Sequence, residues 1–141
     1  MARKFCVMTV GRSGSTSLME ALERFEDIAV PSKNITCEDN ELVHPKRLAE
    51  HLKLYAKLVD KPLTSQGDLI RAFYELNAGK AFAGFKSMPN RHPDFPRFTK
   101  SKNIRFITLR RRDVPSTVAS FMRAGDSGSW RRHGEPEEAT W

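Results

Sequence analysis

Six consecutive residues near the start of the chain, Gly11-Arg12-Ser13-Gly14-Ser15-Thr16, bring together two glycines, one fixed cation and three hydroxyls. They follow the apolar run Lys4 to Val10 and lead into Ser17 to Leu22, where apolar residues return at helical spacing. That order predicts a strand, a glycine-rich loop and a helix N-terminus, a backbone device that holds phosphate-like anions. The amides of a helix's first turn lack intrahelical partners, and the helix dipole adds partial positive charge at the same end. Gly11 and Gly14 permit close backbone approach, Arg12 adds charge, and Ser13, Ser15 and Thr16 add hydroxyl donors. A second basic and hydroxylic element, Arg110-Arg111-Arg112 with Asp113 and Ser120, follows another apolar run, Ile104 to Leu109.

The elements that must position these residues can be read along the chain. A helix is expected from Ser15 to about Phe25, with Leu18, Leu22 and Phe25 inward, and a short strand at Ile28 to Val30, ended by Pro31. Residues 32 to 43 read as polar loop. His44-Pro45 opens a helix with Leu48, Leu52, Tyr55, Leu58 and Val59 on its core side, running to Lys61-Pro62. Thr64-Ser65 can cap a further helix to Asn77, with Leu69, Ala72, Phe73 and Leu76 inward and Gly79 as its stop. Ala81 to Lys86 and Ile104 to Leu109 read as strands, and Pro89 to Pro96 as irregular. Asp113 can cap a last helix carrying Val114, Val118, Phe121 and Met122 inward and ended by Gly125. Strands alternating with helices predict an α/β fold, a three-layer parallel sheet with flanking helices, in a single domain over 1–141 with 125–141 as an irregular tail. Ligands of such sheets sit at the carboxyl ends of the strands, where both basic elements fall. If the two strands are neighbours, the two loops share one cleft.

Composition agrees with a folded globular chain: 39% hydrophobic and 29% charged residues. A net charge of +7, from 24 basic and 17 acidic residues, points to anionic partners without choosing among nucleic acid, lipid headgroups and small phosphorylated or sulfated molecules. No apolar run approaches the ~20 residues that span a bilayer, and Lys4 to Val10 is too short for a signal-peptide core. Cys6 and Cys37 form neither a disulfide framework nor a metal set, and the four histidines lack metal-binding spacing. The expectation is a soluble cytoplasmic protein without metal or membrane partner.

Three chemistries compete for the Gly11 to Thr16 loop. A nucleoside-triphosphate loop requires Gly-Lys-[Ser/Thr] at its end, and no lysine follows Gly14. Cys6 to Ser13 fits the C-x5-R-S spacing of Cys-dependent phosphatases, in which a thiolate attacks a phosphate held by the loop. That chemistry needs the thiolate at the strand's end, whereas Val7, Met8 and Val10 after Cys6 place it mid-strand. A basic nucleic-acid-binding domain is the non-enzymatic alternative, and it lacks interleaved exposed aromatics.

The third chemistry comes from a family resemblance. Val10 to Thr16 with Leu18 resembles the 5′-phosphosulfate loop of sulfotransferases, especially the bacterial carbohydrate group. Phe106 to Phe121 is similar to that family's strand–Arg–helix–Ser element, and Phe82 to Met88 resembles a central strand ending in Gly-x-Lys. A further match is Arg123-Ala124 followed by Trp130-Arg131. The resemblance implies a P-loop-NTPase-like sulfotransferase fold and the co-substrate 3′-phosphoadenosine 5′-phosphosulfate. The acceptor it implies is a small-molecule or carbohydrate hydroxyl, not nucleic acid. It makes Arg12 and the loop the holders of the 5′ end and of the leaving group. Ser120 with Arg111 or Arg112 would hold the 3′-phosphate: the cytosolic members' spacing gives Arg112, and the bacterial Arg-x-Asp pattern gives Arg111. The family's catalytic glutamate follows its first helix after a Pro-containing turn. Pro31 to Asn34 occupies that turn without an acid, and Glu38 is chosen as base from Glu38, Glu41 and His44. Lys86 is read as a strand-end surface charge, and Arg131-Arg132-His133 as a solvated basic tail. Family members are usually longer, so a compact member, a piece of a longer protein and a relative that keeps only the donor site all stay open.

Overall fold

The computed structural model describes residues 1–10, 13–31, 41–89, 100, 103–110 and 112–127, with Thr117, Phe121, Gly125 and Ser127 described by backbone alone. Its elements are β1 (Arg3–Thr9), α1 (Ser15–Glu23), β2 (Ile28–Ala29), α2 (Leu48–Val59), α3 (Gln66–Leu76), β3 (Phe82–Ser87), β4 (Ile104–Leu109) and α4 (Val114–Ser127). The four strands form one sheet in the order β2-β3-β1-β4, and every pairing is parallel. The expected α/β class is therefore observed, and the strands that precede the two basic elements, β1 and β4, lie side by side.

The route of the chain explains the layers. From β1 it steps outward past β3 to β2, then returns inward to β3. Parallel crossovers are right-handed, so a reversal of direction puts the intervening helices on opposite faces. On one face, Leu18, Met19 and Leu22 of α1 pack on Phe5 and Val7 of β1, with Ile28, Val30 and Leu109 around them. On the other, Tyr55 of α2 and Leu69, Ile70, Phe73 and Tyr74 of α3 cover Cys6, Ala83 and Phe85. Phe73 centres that core, meeting Tyr74, Phe85 and Tyr55 edge-on at centroid distances of 5.4, 6.1 and 6.5 Å. Tyr74 donates its hydroxyl hydrogen to the Phe5 carbonyl at 3.0 Å, which ties α3 to the backbone of the central strand.

Local signals place the helix ends. Ser65 and Asp68 form a reciprocal capping box at the head of α3. At the head of α4, the Asp113 carboxylate accepts from the Ser116 amide at 3.0 Å, the cap expected of it. The inward faces differ from expectation at several points. Phe25 lies beyond the end of α1, and Leu58 and Leu76 fall in the last turns of α2 and α3; all three are exposed. Tyr74 and Ile70 fill the core that Leu76 was expected to enter. The stripe Val114, Val118 and Met122 of α4 faces outward, with 62%, 52% and 62% exposure. That helix instead turns small residues inward, Ala124 buried and Ser120 half-buried, and it runs to Ser127 past the expected stop at Gly125. Of the irregular stretch expected at Pro89 to Pro96, residues 90–96 lie outside the described residues; of the irregular tail expected at 125–141, residues 125–127 are helical and 128–141 lie outside the described residues.

Gly84 of β3 is in register with Phe5 of β1, and the Phe5 ring lies over it so closely that an added methyl group would overlap the ring. Replacing Gly84 by Ala is expected to lower stability by about 1–3 kcal/mol. Thermal unfolding checks this, and an unchanged Tm would contradict the close packing of these two strands.

Candidate functional site at the strand ends

The carboxyl ends of β1, β3 and β4 lie at one edge of the sheet, with Met8 in register with Ser87 and Thr9 with Leu109. From β1 the chain passes to α1 through Gly14, whose φ of +85° is a left-handed conformation that glycine adopts without a steric penalty. No side chain caps α1, and no acidic residue stands in its first turn. The first turn of α1 therefore supplies no carboxylate of its own to compete for an incoming anion. Ser13 and Ser15 are buried, Thr16 is half-buried, and the hydroxyls of Thr9 and Ser13 share a short hydrogen bond. Thr9 also bonds the Val10 carbonyl at 3.0 Å, which fixes where the strand ends and the loop begins.

Lys86 completes this end of the sheet and corrects the surface reading of that residue. It is only 2% exposed, and its Nζ donates to Thr16 Oγ1 at 3.4 Å. Alternation along β3 sends Phe85 and Ser87 to the α3 face and Lys86 to the α1 face. A cation thus rises from the neighbouring strand to the head of α1, although the loop has no lysine after Gly14. Ser87, 1% exposed, has a hydroxyl without a hydrogen-bond partner among the described residues.

Glu41 is the second acquisition of the structure. It forms an isolated parallel bridge with Lys86 on the β3 edge that β2 occupies lower down, and it is 1% exposed. Leu42 and Val43 after it enter the α2–α3 core. His51 of α2, fully buried, holds this segment by a 2.8 Å hydrogen bond between its Nδ1 and the Leu42 carbonyl. The sequence carried part of that signal, because His51 stands three residues after Leu48 and four before Tyr55, on their face of the helix.

Of the residues expected at the loop, Ser13, Gly14, Ser15 and Thr16 gather at the head of α1, whereas Gly11 and Arg12 lie outside the described residues. At the neighbouring strand end Arg110 and Arg112 are exposed, Arg111 lies outside the described residues, and Ser120 sits half-buried two turns into α4. Glu38 also lies outside the described residues. Cys6 stands in the middle of β1, fully buried, and burial pushes its thiol up to about 12, far from the thiolate that nucleophilic attack needs. Among the described residues no group of His, Cys, Asp or Glu could hold a metal ion, and no helix is long and apolar enough to cross a membrane. A separate groove of about 530 Å³ lies at the other end of the sheet, lined by Lys4, Ile70, Arg71, Tyr74 and Ile104.

Two outcomes follow from this geometry. His51→Phe keeps volume on α2 but leaves the buried Leu42 carbonyl without its donor, so stability should fall by about 1–3 kcal/mol in chemical denaturation; an unchanged midpoint would contradict the clamp. In a Cys37→Ser background, Cys6 should resist a disulfide reagent at pH 8 until the chain unfolds, and rapid native labelling would contradict its burial. Comparison with protein families, curated proteins and solved structures finds no match for this chain.

Proposed function

We propose that the chain binds 3′-phosphoadenosine 5′-phosphosulfate at these strand ends and transfers its sulfuryl group to a hydroxyl, in the first instance on a carbohydrate. The observation that carries the reading is Lys86, a lysine buried at the head of an uncapped helix beside serine and threonine hydroxyls. A buried ammonium at the head of a helix whose first turn carries no acidic residue suits an anion. The donor carries anionic groups at two separated places, and two basic and hydroxylic elements on adjacent strands β1 and β4 suit it better than one would. Hydrogen bonds to charged groups contribute roughly 1.5–3 kcal/mol each, so a few of them hold such a ligand without metal.

In this reading Ser13 to Thr16, Arg12 and Lys86 receive the 5′-phosphosulfate. Ser120 and Arg112 or Arg111 receive the 3′-phosphate. The acceptor oxygen attacks sulfur in line, the bond between sulfur and the bridging oxygen breaks, and the bridging oxygen keeps the electron pair as part of the departing 5′-phosphate. Arg12, Lys86 and the α1 amides stabilise that growing negative charge. The acceptor's proton passes to a carboxylate, for which Glu38 is the choice. The mid-strand burial of Cys6 favours this reading over a thiolate phosphatase, and the paired anion elements account for the basic charge without nucleic acid.

Calorimetry with 3′-phosphoadenosine 5′-phosphate tests the proposal, with AMP and ATP as controls. Binding should depend on the 3′-phosphate. Ser120→Ala, and either Arg112→Ala or Arg111→Ala, should weaken it about 10-fold or more, the equivalent of one charged hydrogen bond. Equal affinity for AMP would overturn the reading.

A further inference from the structure

Alternation along β1 places Lys4 on the face of the sheet that Cys6 and Met8 share with α2 and α3, and Lys4 is in register with Ile104, the first residue of β4. These two residues stand on one side of the groove at the amino ends of the strands. The opposite side is a single line along α3, in which Gly67, Ile70 with Arg71, and Tyr74 with Glu75 succeed one another turn by turn. At about 530 Å³ the groove falls within the roughly 300–1,000 Å³ of small-molecule sites. Its base is apolar, because Ile70 and Tyr74 are buried and Ile104 packs on the same core. The Tyr74 hydroxyl is committed to the Phe5 carbonyl, so the ring is the part of Tyr74 that meets the groove.

The charges along the groove are unevenly matched. Arg71 pairs with Asp68 at 2.6 Å and Glu75 with Lys61 at 2.8 Å, so each of these side chains is balanced by a neighbour. Lys4 is half-buried, and its ammonium lies over the Tyr74 ring, 5.1 Å from the centroid. Among the described residues it pairs with no carboxylate. An aromatic face attracts a cation without accepting all three of its N–H groups, so the ammonium keeps donors for an oxygen anion. A neutral apolar ligand would desolvate that charge with nothing to balance it, and a cationic ligand would be repelled. We propose that the groove binds a small amphiphile with a single carboxylate, its head on Lys4 and its apolar chain along Ile70, Tyr74 and Ile104. The lining has one unbalanced cation, which matches one carboxylate and not the several charges of a nucleotide. This site lies at the opposite end of the sheet from the head of α1 and does not depend on the donor reading.

The test is a nuclear magnetic resonance titration of the isotope-labelled full chain at about pH 7, where a carboxylate is ionised. The probes are octanoate, octanamide, which has the same chain without the charge, and acetate, which has the charge without the chain. Octanoate should shift the amides of Lys4, Ile70, Tyr74 and Ile104 and bind at least about 10-fold more tightly than either control, the equivalent of one charged hydrogen bond. Lys4→Met keeps an apolar stem beside the ring and should abolish the preference for octanoate over octanamide. Lys4→Arg keeps a cation over the ring and should retain that preference. Equal affinity of the wild-type chain for octanoate and octanamide would overturn the proposal, as would no binding of octanoate at millimolar concentration. Shifts at Ser13 to Thr16 in place of the groove would also overturn it, and so would a preference that survives in Lys4→Met. None of the three probes is a nucleotide, so failure here leaves the donor reading untouched.

Discussion

An ammonium ion taken out of water costs several kcal/mol unless polar partners replace its hydration, and Lys86 is held out of water at one edge of a four-stranded sheet, with its Nζ donating to Thr16 Oγ1. β3 has to lie between β2 and β1 for Lys86 to stand beneath the head of α1. α1 has to start at a left-handed Gly14 for Thr16 to come within reach of its Nζ. The segment after residue 40 has to return to the β3 edge for Glu41 to bridge Lys86. Each of these conditions is met by a different part of the chain, so the buried charge ties the topology of the sheet to the chemistry of its end.

The two hydrophobic clusters serve that arrangement. The smaller one, on the α1 face, is built from Phe5, Val7 and Met19 and holds α1 along the sheet with its N-terminus at the strand ends. Close approach of β1 and β3 is secured by Gly84 under the Phe5 ring. The larger cluster, on the opposite face, anchors α2 and α3 through Phe73 and Tyr74 and, through Leu42 and Val43, carries the Glu41 segment to its place. Packing on both faces thus fixes groups that belong to the α1 side alone.

Much of this was legible from residue patterns, for reasons that can be named. β1, β3 and β4 are short apolar runs bounded by polar or turn residues, and buried parallel strands have that appearance. The glycine-rich turn before Ser15, the Ser65 cap and the Asp113 cap are local signals, and local signals do not depend on the rest of the fold. Lys86 and Glu41 were misjudged because their burial depends on pairing across β3 between segments far apart in sequence. Lone lysines at strand ends are usually solvated, and the Gly-x-Lys spacing around this one does not by itself say that it is buried. The outward stripe of α4 was misread because Val114, Val118 and Met122 form a regular apolar face, whereas the less exposed positions are the smaller Ser120 and Ala124. Periodicity identifies a helix well, but it does not say which of two faces is the buried one when one is built of small residues.

The central claim is that the head of α1 and Lys86 form one anion-binding site, and the most direct measurement is a nuclear magnetic resonance titration of the isotope-labelled chain with 3′-phosphoadenosine 5′-phosphate. The account predicts shifts concentrated in the amides of Ser13 to Thr16 and in the Lys86 ammonium, with a second set at Arg112 and Ser120. Shifts confined to the groove at the opposite end of the sheet, around Lys4, Arg71 and Tyr74, would contradict it.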